Sequence, residues 1–328
     1  MAKCMTDTAN LTSVADAIRA KGGTSAQLVY PSGFVSAIQA IQTGVTPKLV
    51  VTTTPGATVT ATFTDGSNTV TGTAGPDGTC TLELPKAGAW NVTATANGQS
   101  DTQSIVIGTQ NISLFLVDPV FGNNSWATII KLCQDKQVPS TWNVGDSCNM
   151  TIDNKTYQID IIGKNHDDYA DGSGKAPLTF QMHTTYATQY KMNGGEYNDC
   201  GWVNCLVRTY NAFPKLKKVM PAEVVAALKT VTKKTSAGGA SSAIDTTEDK
   251  LFLLSEIEVQ GTLTHSYAGE GTQYEYYKTA SNRKKNRAWY LRSPRKSSTS
   301  CFCRTGWSGE ADWSVASEVD GIAAAWCF

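Results

Sequence analysis

The chain lacks an excess of charge of either sign, because 28 Lys and Arg residues balance 28 Asp and Glu residues among 328 positions. Nucleic acids and anionic membrane surfaces attract proteins through a basic surplus, so neither is an expected partner. The sequence also lacks an apolar run near the ~20 residues of a membrane helix, and its first residues lack the apolar core of a signal peptide. We expect synthesis in a cytoplasm, without export by a signal peptide or membrane insertion.

Signatures of common enzymes are missing as well. The chain has only three histidines, which leaves few candidates for a general base. It contains no phosphate loop, no dinucleotide fingerprint and no His-Glu-x-x-His motif, and Gly306 to Glu310 differs by one position from a Gly-x-Ser-x-Gly elbow. We therefore expect a protein that is not an enzyme and needs no cofactor.

Cysteine is present in an odd number, which does not suit a disulfide framework. The nine cysteines are Cys4, Cys80, Cys133, Cys148, Cys200, Cys205, Cys301, Cys303 and Cys327. The pairs 200/205 and 301/303 invite a zinc or redox interpretation, but neither has the Cys-x-x-Cys spacing that such sites repeat. Reduced, buried thiols are the favoured interpretation, with no metal bound.

An Asp- and Gly-rich loop at 166–174 groups oxygen donors. His166, Asp167, Asp168, Asp171 and Ser173 lie within it. Calcium prefers such hard oxygen ligands, but the spacing is not that of an EF-hand loop. A solvated turn is favoured, and the calcium alternative stays open.

The chain is expected to contain three parts. Residues 1–45 carry helical periodicity in two short stretches, Leu11 to Ile18 and Phe34 to Ile41, with one apolar stripe each. Such helices cannot bury a core alone, which favours an attachment or oligomerisation segment over a loosely packed leader. The segment resembles N-terminal segments of phage tail and baseplate-associated proteins.

Residues 46–117 change to a period of two. Val59, Ala61 and Phe63 alternate with threonines, and Asp65-Gly66, Pro76-Asp77-Gly78 and Asn97-Gly98 supply turns between such runs. This pattern predicts a small antiparallel sandwich and resembles immunoglobulin-like modules. A spacer role is favoured over direct ligand binding.

Residues 118–328 are richer in aromatic side chains. We expect helices at Trp126 to Gln134 and Ala222 to Val231, a strand at Tyr157 to Ile162, and a flexible linker at 235–242. The run from Arg295 to Asp320 mixes Trp and Arg with small residues and shows no clean periodicity. Its composition suits a binding surface equally well as a loop folded back into the core.

Several ordered segments of this third part carry a resemblance to a known family. They are YQIDIIGKNHD at 157–167, LTFQM at 178–182, Gly201-Trp202 with Arg208, DKLFLLSEIEV at 249–259, WYLRSP at 289–294 and GIA at 321–323. Residues 120–328 resemble the C-type-lectin-fold variable proteins of diversity-generating retroelements, in which fixed residues support varied surface positions. The resemblance implies an α+β C-type lectin fold with a variable region at 289–328.

The resemblance also assigns residues to two sets. The fixed scaffold is expected to include Trp289, Leu291, Arg292, Ser293, Phe302, Gly309, Ala311, Ala316, Gly321 and Ile322. The varied, ligand-binding positions are expected to be Arg295, Lys296, Ser298, Thr299, Cys301, Arg304, Gly306, Trp307, Glu310, Asp312, Trp313, Ser314, Val315, Glu318 and Val319.

These observations lead to one functional hypothesis. We expect a receptor-binding protein of a phage or prophage virion that contacts a host-cell-surface protein or glycan, attaches to tail proteins through its N-terminal segment, and forms a homo-oligomer, a trimer by analogy. Trp307 and Trp313 would be apolar anchors surrounded by Arg304, Glu310 and Asp312. The motifs of calcium-dependent sugar binding are absent. The alternatives are a structural tail protein without a ligand and an enzyme of the formylglycine-generating type.

Overall fold

The computed structural model describes residues 8–22, 28, 34, 47–107, 110–114 and 116–328. The chain divides into two compact units, Met1–Asp118 and Pro119–Phe328. Strands dominate both units, so the β-rich character predicted from the composition is confirmed. Within the described ranges, no helix is both long enough and apolar enough to cross a membrane.

The first helix, α1 (Thr8–Gly22), confirms the first stretch of helical periodicity. Its buried side chains Ala15 and Ile18 cluster with Phe34, and Leu28 packs against them. Val14, which belongs to the expected apolar stripe, is instead 48% exposed. Most of the second predicted helix lies outside the described residues.

The rest of the first unit is a two-sheet sandwich. Its strands are β1 (Lys48–Thr52), β2 (Thr58–Phe63), β3 (Thr69–Thr73), β4 (Thr79–Glu83), β5 (Gly88–Ala96), β6 (Gln99–Ile107) and β7 (Gln110–Ser113). One sheet has the order β4-β1-β7 and the other the order β3-β2-β5-β6. Only the β1–β7 pair is parallel among these described pairings.

Period-two alternation places the core of this sandwich. Val59, Ala61 and Trp90 point inward and are fully buried, while threonines occupy the intervening positions. Asn97 and Gly98 both have positive φ, which a two-residue hairpin turn between β5 and β6 requires. The strand and turn pattern predicted for this segment is therefore confirmed.

The second unit contains several short sheets and helices. The helices are α2 (Trp126–Gln134), α3 (Leu206–Thr209), α4 (Ala212–Val219), α5 (Ala222–Ala227) and α6 (Glu256–Gln260). The strands are β8 (Ser147–Ile152), β9 (Lys155–Lys164), β10 (Leu178–Met182), β11 (Tyr190–Lys191), β12 (Val231–Gly238), β13 (Ser241–Asp249), β14 (Trp289–Pro294), β15 (Cys301–Thr305), β16 (Ala311–Val315), β17 (Val319–Asp320) and β18 (Ala325–Cys327).

The largest sheet of this unit has the order β18-β10-β9-β8, and a separate sheet has the order β14-β15-β16. Strands β12 and β13 form a hairpin, and β11 pairs with β17. Fully buried aromatic side chains, including Trp142, Phe180 and Trp326, fill the interior. Strand β14 is buried along its whole length and pairs with β15.

Three sequence predictions for this unit need correction. The helix expected at Ala222 to Val231 ends at Ala227, and Val231 already begins β12. The expected linker at 235–242 is instead the end of β12, its turn and the start of β13, with Thr235 and Ser236 buried. The run from Arg295 to Asp320 forms strands β15 to β17 although it shows no alternation, because most of β15 is buried on both faces.

Candidate ligand-display surface

Strands β15 and β16 form a hairpin that contains most of the predicted varied positions. The register runs from Cys301 opposite Val315 to Thr305 opposite Ala311. The Gly306 N–H donates to the Glu310 carbonyl at 2.9 Å and closes the turn. Gly309 has a φ of +96°, a conformation that favours glycine in such a turn. We call residues 301–315 the display hairpin.

Most of the predicted scaffold residues lie on β14 or follow the display hairpin in the chain, and Phe302, Gly309 and Ala311 lie within the hairpin. Eight residues, here called the frame, are all buried: Trp289, Leu291, Arg292, Ser293, Phe302, Gly309, Gly321 and Ile322. Ala316 is also buried, whereas Ala311 is half-buried at the outer strand. The residues that the resemblance assigned to the scaffold along β14 and after β17 are therefore all buried.

A buried ion network supports the frame. The Arg292 guanidinium, fully buried, donates to both carboxylate oxygens of Glu258 at 2.5 and 2.9 Å. Burial alone would raise the pKa of Glu258, but pairing with Arg292 and Lys233 outweighs it and the pKa is lowered. Lys233 also bonds to Asp167, whose pKa falls to about 2 although burial opposes the shift. Two cations and two anions thus compensate each other in the interior.

Asn198 holds the loop that precedes the display hairpin. Its Nδ2 donates to the carbonyls of Ser298 and Cys301 at 3.0 and 2.7 Å, and its backbone N–H donates to the Thr299 carbonyl at 2.8 Å. Its Oδ1 accepts from the Gly239 N–H in the β12–β13 turn. All three contacts to the loop reach backbone atoms, so they do not depend on which side chains the loop carries.

Gln260 and Tyr290 also contact backbone atoms of the hairpin and its flank. The Gln260 Nε2 donates to the Gly309 carbonyl at 3.1 Å. The Tyr290 hydroxyl donates to the carbonyls of Val315 and Glu318 at 2.7 and 3.1 Å. These hydrogen bonds therefore hold main-chain atoms of the hairpin and its flanks, and they do not involve its side chains.

The structure divides the predicted varied positions into three groups. The exposed group is Thr299, Trp307, Glu310, Trp313, Glu318 and Val319. The half-buried group is Arg295, Lys296, Ser298, Arg304, Asp312 and Val315. The buried group is Cys301, Gly306 and Ser314. Members of the third group pack inside the sheet or its turn, so they do not provide accessible contact surface in this conformation.

The exposed and half-buried residues do not form one face of the hairpin. In the antiparallel register, Trp313 lies opposite Cys303, and Asp312 lies opposite Arg304. Because neighbouring residues of a strand point to opposite faces, the indole and the Asp312 carboxylate are on different sides. The expected arrangement of Trp313 surrounded by Arg304 and Asp312 is therefore wrong.

On the Trp313 side, the Arg295 guanidinium stacks over the indole at 4.0 Å from the ring centroid. Such a cation–π contact orients the guanidinium without neutralising its charge. Trp307 lies in the turn and is 67% exposed. Both tryptophans are accessible, as an anchoring role requires.

On the other side, Arg304 is engaged within the protein. Its Nε donates to Asp312 at 2.8 Å and its Nη1 to Asp320 at 2.8 Å. Burial raises the pKa of Asp320 despite its bond to Arg304. Glu310 accepts from the backbone and hydroxyl of Ser308 at 3.0 and 2.5 Å, which lowers the Glu310 pKa. Three charged groups predicted to meet a ligand are thus already bonded to neighbours.

The carboxylates of the candidate calcium loop are bonded to other groups of the protein. Asp167 bonds to Lys233 and Tyr274, Asp168 pairs with Lys175 at 2.9 Å, and Asp171 accepts from the Ser173 N–H. Within the described part of the chain, no group of three or more His, Cys, Asp or Glu side chains is arranged to hold a metal ion.

Eight of the nine cysteines lie in the described ranges, and all eight are free thiols. Seven are buried and Cys200 is half-buried, in agreement with the expected reduced state. Burial raises the pKa of Cys303 and Cys327, which keeps these thiols protonated near neutral pH.

A cleft of about 510 Å³ lies elsewhere, between the α5–β12 connection and β13. Asp171, Lys229, Glu248 and Lys250 contribute charges of both signs to its walls. None of its lining residues belongs to the predicted varied set.

Sequence reasoning missed the residues that fix the hairpin backbone, above all Asn198, Gln260 and Tyr290. Asn198 is separated in the sequence from its partners Ser298 and Cys301 by 100 and 103 positions. No local pattern reports such a contact. A signal was present for two of the three residues: Tyr290 lies within the WYLRSP segment of the resemblance, and Gln260 directly follows the DKLFLLSEIEV segment.

Comparison with protein families gives one match. A family described as "Domain of unknown function (DUF6273)" matches residues 178–327. That span begins with β10, ends in β18 and includes the display hairpin and the frame. A comparison with curated proteins finds no match.

Proposed function

We propose that the chain is a receptor-binding protein in which a C-type-lectin-like domain, residues 118–328, displays variable side chains to a host-cell-surface ligand. The display hairpin and the loop at 295–300 form the contact region. Binding, rather than bond making or breaking, is its activity, and it needs no cofactor.

The observation that carries this proposal is how the hairpin is held. Asn198, Gln260 and Tyr290 bond to its backbone carbonyls, and the fully buried strand β14 pairs with its strand β15. Side chains at Thr299, Trp307 and Glu318 extend into solvent. A support of this kind tolerates substitution at exposed positions, because the contacts that set the backbone conformation remain.

The ion network below the hairpin supports the same assignment. Arg292, a frame residue of the WYLRSP segment, bonds to Glu258 in the DKLFLLSEIEV segment. Two segments that carry the resemblance therefore meet in one buried contact. The raised pKa of the Cys303 and Cys327 thiols gives no support to the alternative of a thiol-dependent oxidase.

We further propose roles for the first unit. Its sandwich, residues 46–117, acts as an immunoglobulin-like spacer, which its two sheets around one core support. The segment 1–45 attaches the chain to phage tail proteins in a virion and promotes a homo-oligomer, for which a trimer is the analogy. Several copies would raise avidity where single sites are weak.

The genomic locus provides the first test. Sequencing the DNA around the gene should reveal a near-copy of its last ~120 bases beside a reverse transcriptase gene. We expect the two copies to differ at adenines of the template, in codons between Arg295 and Val319. Absence of such a copy would favour a structural tail protein with fixed loops.

A library provides the second test. Thr299, Trp307, Glu310, Glu318 and Val319 are randomised in the full chain, and a matched library randomises five frame residues: Leu291, Ser293, Phe302, Gly321 and Ile322. Protease resistance of the expressed variants measures folding. We expect most members of the first library to fold and most of the second to fail. Equal failure in both would contradict a display surface at these positions.

A further inference from the structure

Strand β16 is the outer strand of its sheet. The order β14-β15-β16 leaves no described strand beside its second edge, because β17 pairs with β11 instead. An outer strand exposes a row of unpaired backbone groups, which another extended chain can use. The direction of those groups decides whether β16 can accept one.

The hydrogen-bonding register shows which groups face outward. Gly306 N–H donates to Glu310 at one end of the hairpin, and Ala316 N–H donates to the Ser300 carbonyl at 2.8 Å at the other. Antiparallel strands alternate between bonded and non-bonded pairs, so the even-numbered residues from 310 to 316 bond to β15. The N–H and C=O groups of Ala311 and Trp313 therefore point away from the sheet.

The far end of this edge is already occupied. The Val315 carbonyl accepts from the Tyr290 hydroxyl and from the Glu318 N–H at 3.0 Å. This leaves a short open edge of two outward-facing residues, Ala311 and Trp313, bordered by the turn and by Val315. Such a length suits a short extended peptide segment.

The charge beside this edge is positive on the Trp313 side of the sheet. The Asp312 carboxylate lies on the opposite side, paired with Arg304, and the Glu310 carboxylate at the turn accepts from Ser308. Arg295, stacked on Trp313, has no ion pair with any carboxylate of the described residues, and the Lys296 ammonium donates only to the Leu263 carbonyl, at 3.2 Å. The buried carboxylate of Glu256 accepts from the backbone of His265 and from Ser266. Arg304, by contrast, is paired with two aspartates. Two cations thus remain available next to the open edge.

We propose that β16 binds an extended acidic peptide segment of the receptor, which adds to the β14-β15-β16 sheet as a fourth strand. Ala311 and Trp313 supply the main-chain hydrogen bonds. Arg295 and Lys296 pair with carboxylates of the segment on the Trp313 side. This inference rests on the proposed receptor-binding function and names the chemical class of the ligand.

A peptide is favoured over an acidic glycan by the geometry of the edge. The outward groups alternate between donor and acceptor at the spacing of a strand, which the main chain of a peptide matches and a sugar chain does not. The cations alone would accept a carboxylate from either source. The test must therefore separate main-chain pairing from charge.

Three labelled heptapeptide pools serve as probes. The first pool is Glu-x-Glu-x-Glu-x-Glu, where x is Val, Thr or Tyr; the second replaces Glu by Lys; the third is the first with alternate backbone amides methylated. Fluorescence anisotropy measures their binding to the full chain, and polygalacturonate serves as the acidic glycan. We expect binding of the first pool alone, with slower amide exchange in the segment 310–316.

Two variants and a control test the residues. Ala311→Pro removes one outward N–H without removing a bond to β15, and we expect it to abolish binding of the Glu pool. The double variant Arg295→Glu with Lys296→Glu should weaken the Glu pool at least about tenfold and bind the Lys pool instead. Lys155→Ala removes an exposed cation at the start of β9 and should change nothing. Thermal melting verifies that each variant is folded.

The outcomes separate this inference from the function on which it rests. Equal binding of methylated and unmethylated Glu pools, or binding of polygalacturonate alone, would overturn strand addition. Absence of binding by every probe would overturn it too. If the library of exposed positions still folds and the locus contains the adenine-specific copy, receptor display stands while the acidic-strand ligand is rejected.

Discussion

Two arginines three positions apart in the sequence show how differently the same side chain is used in this molecule. Arg292 is fully buried and bonds to both carboxylate oxygens of Glu258. Arg295 is half-buried, stacks on Trp313 and makes no ion pair among the described residues. A cation that becomes buried on folding needs a paired anion to offset its lost hydration. A surface cation stays hydrated and can pair with a ligand.

The same difference separates the frame from the exposed residues of the display hairpin. Frame side chains are bonded or packed on all sides, and Trp289 and Phe302 have no exposed surface. Residues such as Trp307 are supported through the backbone of their turn rather than through their side chains. Substitutions should therefore reduce stability in the first region and binding in the second.

The largest effect is expected when the buried pair is broken. Glu258→Gln removes the carboxylate that forms the ion pair with the buried Arg292 guanidinium, and breaking comparable buried pairs costs ~3–5 kcal/mol. Urea unfolding followed by tryptophan fluorescence measures the free energy. Glu310→Gln, a matched change in the exposed turn, serves as the control. A difference below ~1 kcal/mol between the two variants would show that the network does not stabilise the frame.

Two tryptophan substitutions test the difference between buried and exposed positions without changing a charge. Trp289→Ala removes a fully buried ring and should cost ~3–5 kcal/mol. Trp307→Ala removes a ring that is 67% exposed, so its free energy of unfolding should stay within ~0.5 kcal/mol of the parent. Thermal melting of both variants measures this contrast. Unfolding by Trp307→Ala would place that ring in the core and remove it from the display surface.

Acid should weaken the frame through Asp167. Its pKa is about 2 in the folded protein against an ordinary 3.8, so the folded state favours the ionised form. The resulting contribution, about 2 kcal/mol, is complete above about pH 5 and is lost progressively as the pH falls through the unfolded value of 3.8 and the folded value of about 2. Free energies of unfolding between pH 6 and pH 2 measure it. In Asp167→Asn this slope should shrink, and an unchanged slope would assign the acid sensitivity to other groups.

Much of the fold follows from local patterns, because one face of many elements is buried and the other is not. The alternation around Val59 and Ala61 predicted the sandwich strands, and Trp126 to Gln134 is helical, as expected; the structure adds that Ser125 is its N-cap. The hairpin β12–β13 escaped prediction, because its Gly-, Ser- and Thr-rich turn has the composition of a linker. Only the structure shows that the Thr235 hydroxyl accepts from Arg292.

The candidate site was predicted in part, for a related reason. The resemblance assigned the buried Trp289 and Leu291 to the scaffold and the exposed Trp307 and Trp313 to the varied set, whereas residue composition left a binding surface and a loop folded into the core equally favoured. Neither the resemblance nor the composition could show which charges are already paired, because that depends on contacts across the sheet. The pairing of Arg304 with Asp320 joins residues on two different strands.

The smallest change in the free energy of unfolding is expected at Arg304, which pairs with the partly exposed Asp312 and with the buried Asp320. Asp312→Asn removes a carboxylate whose side chain is 33% exposed, while Arg304 keeps its bond to Asp320. Partly exposed pairs contribute ~1 kcal/mol or less, so the free energy of unfolding should fall by no more than that. Arg304→Ala should cost more, because it leaves Asp320 buried without its partner. Urea unfolding of the two variants ranks them, and the reverse order would mean that Asp312, rather than Asp320, anchors Arg304 to the fold.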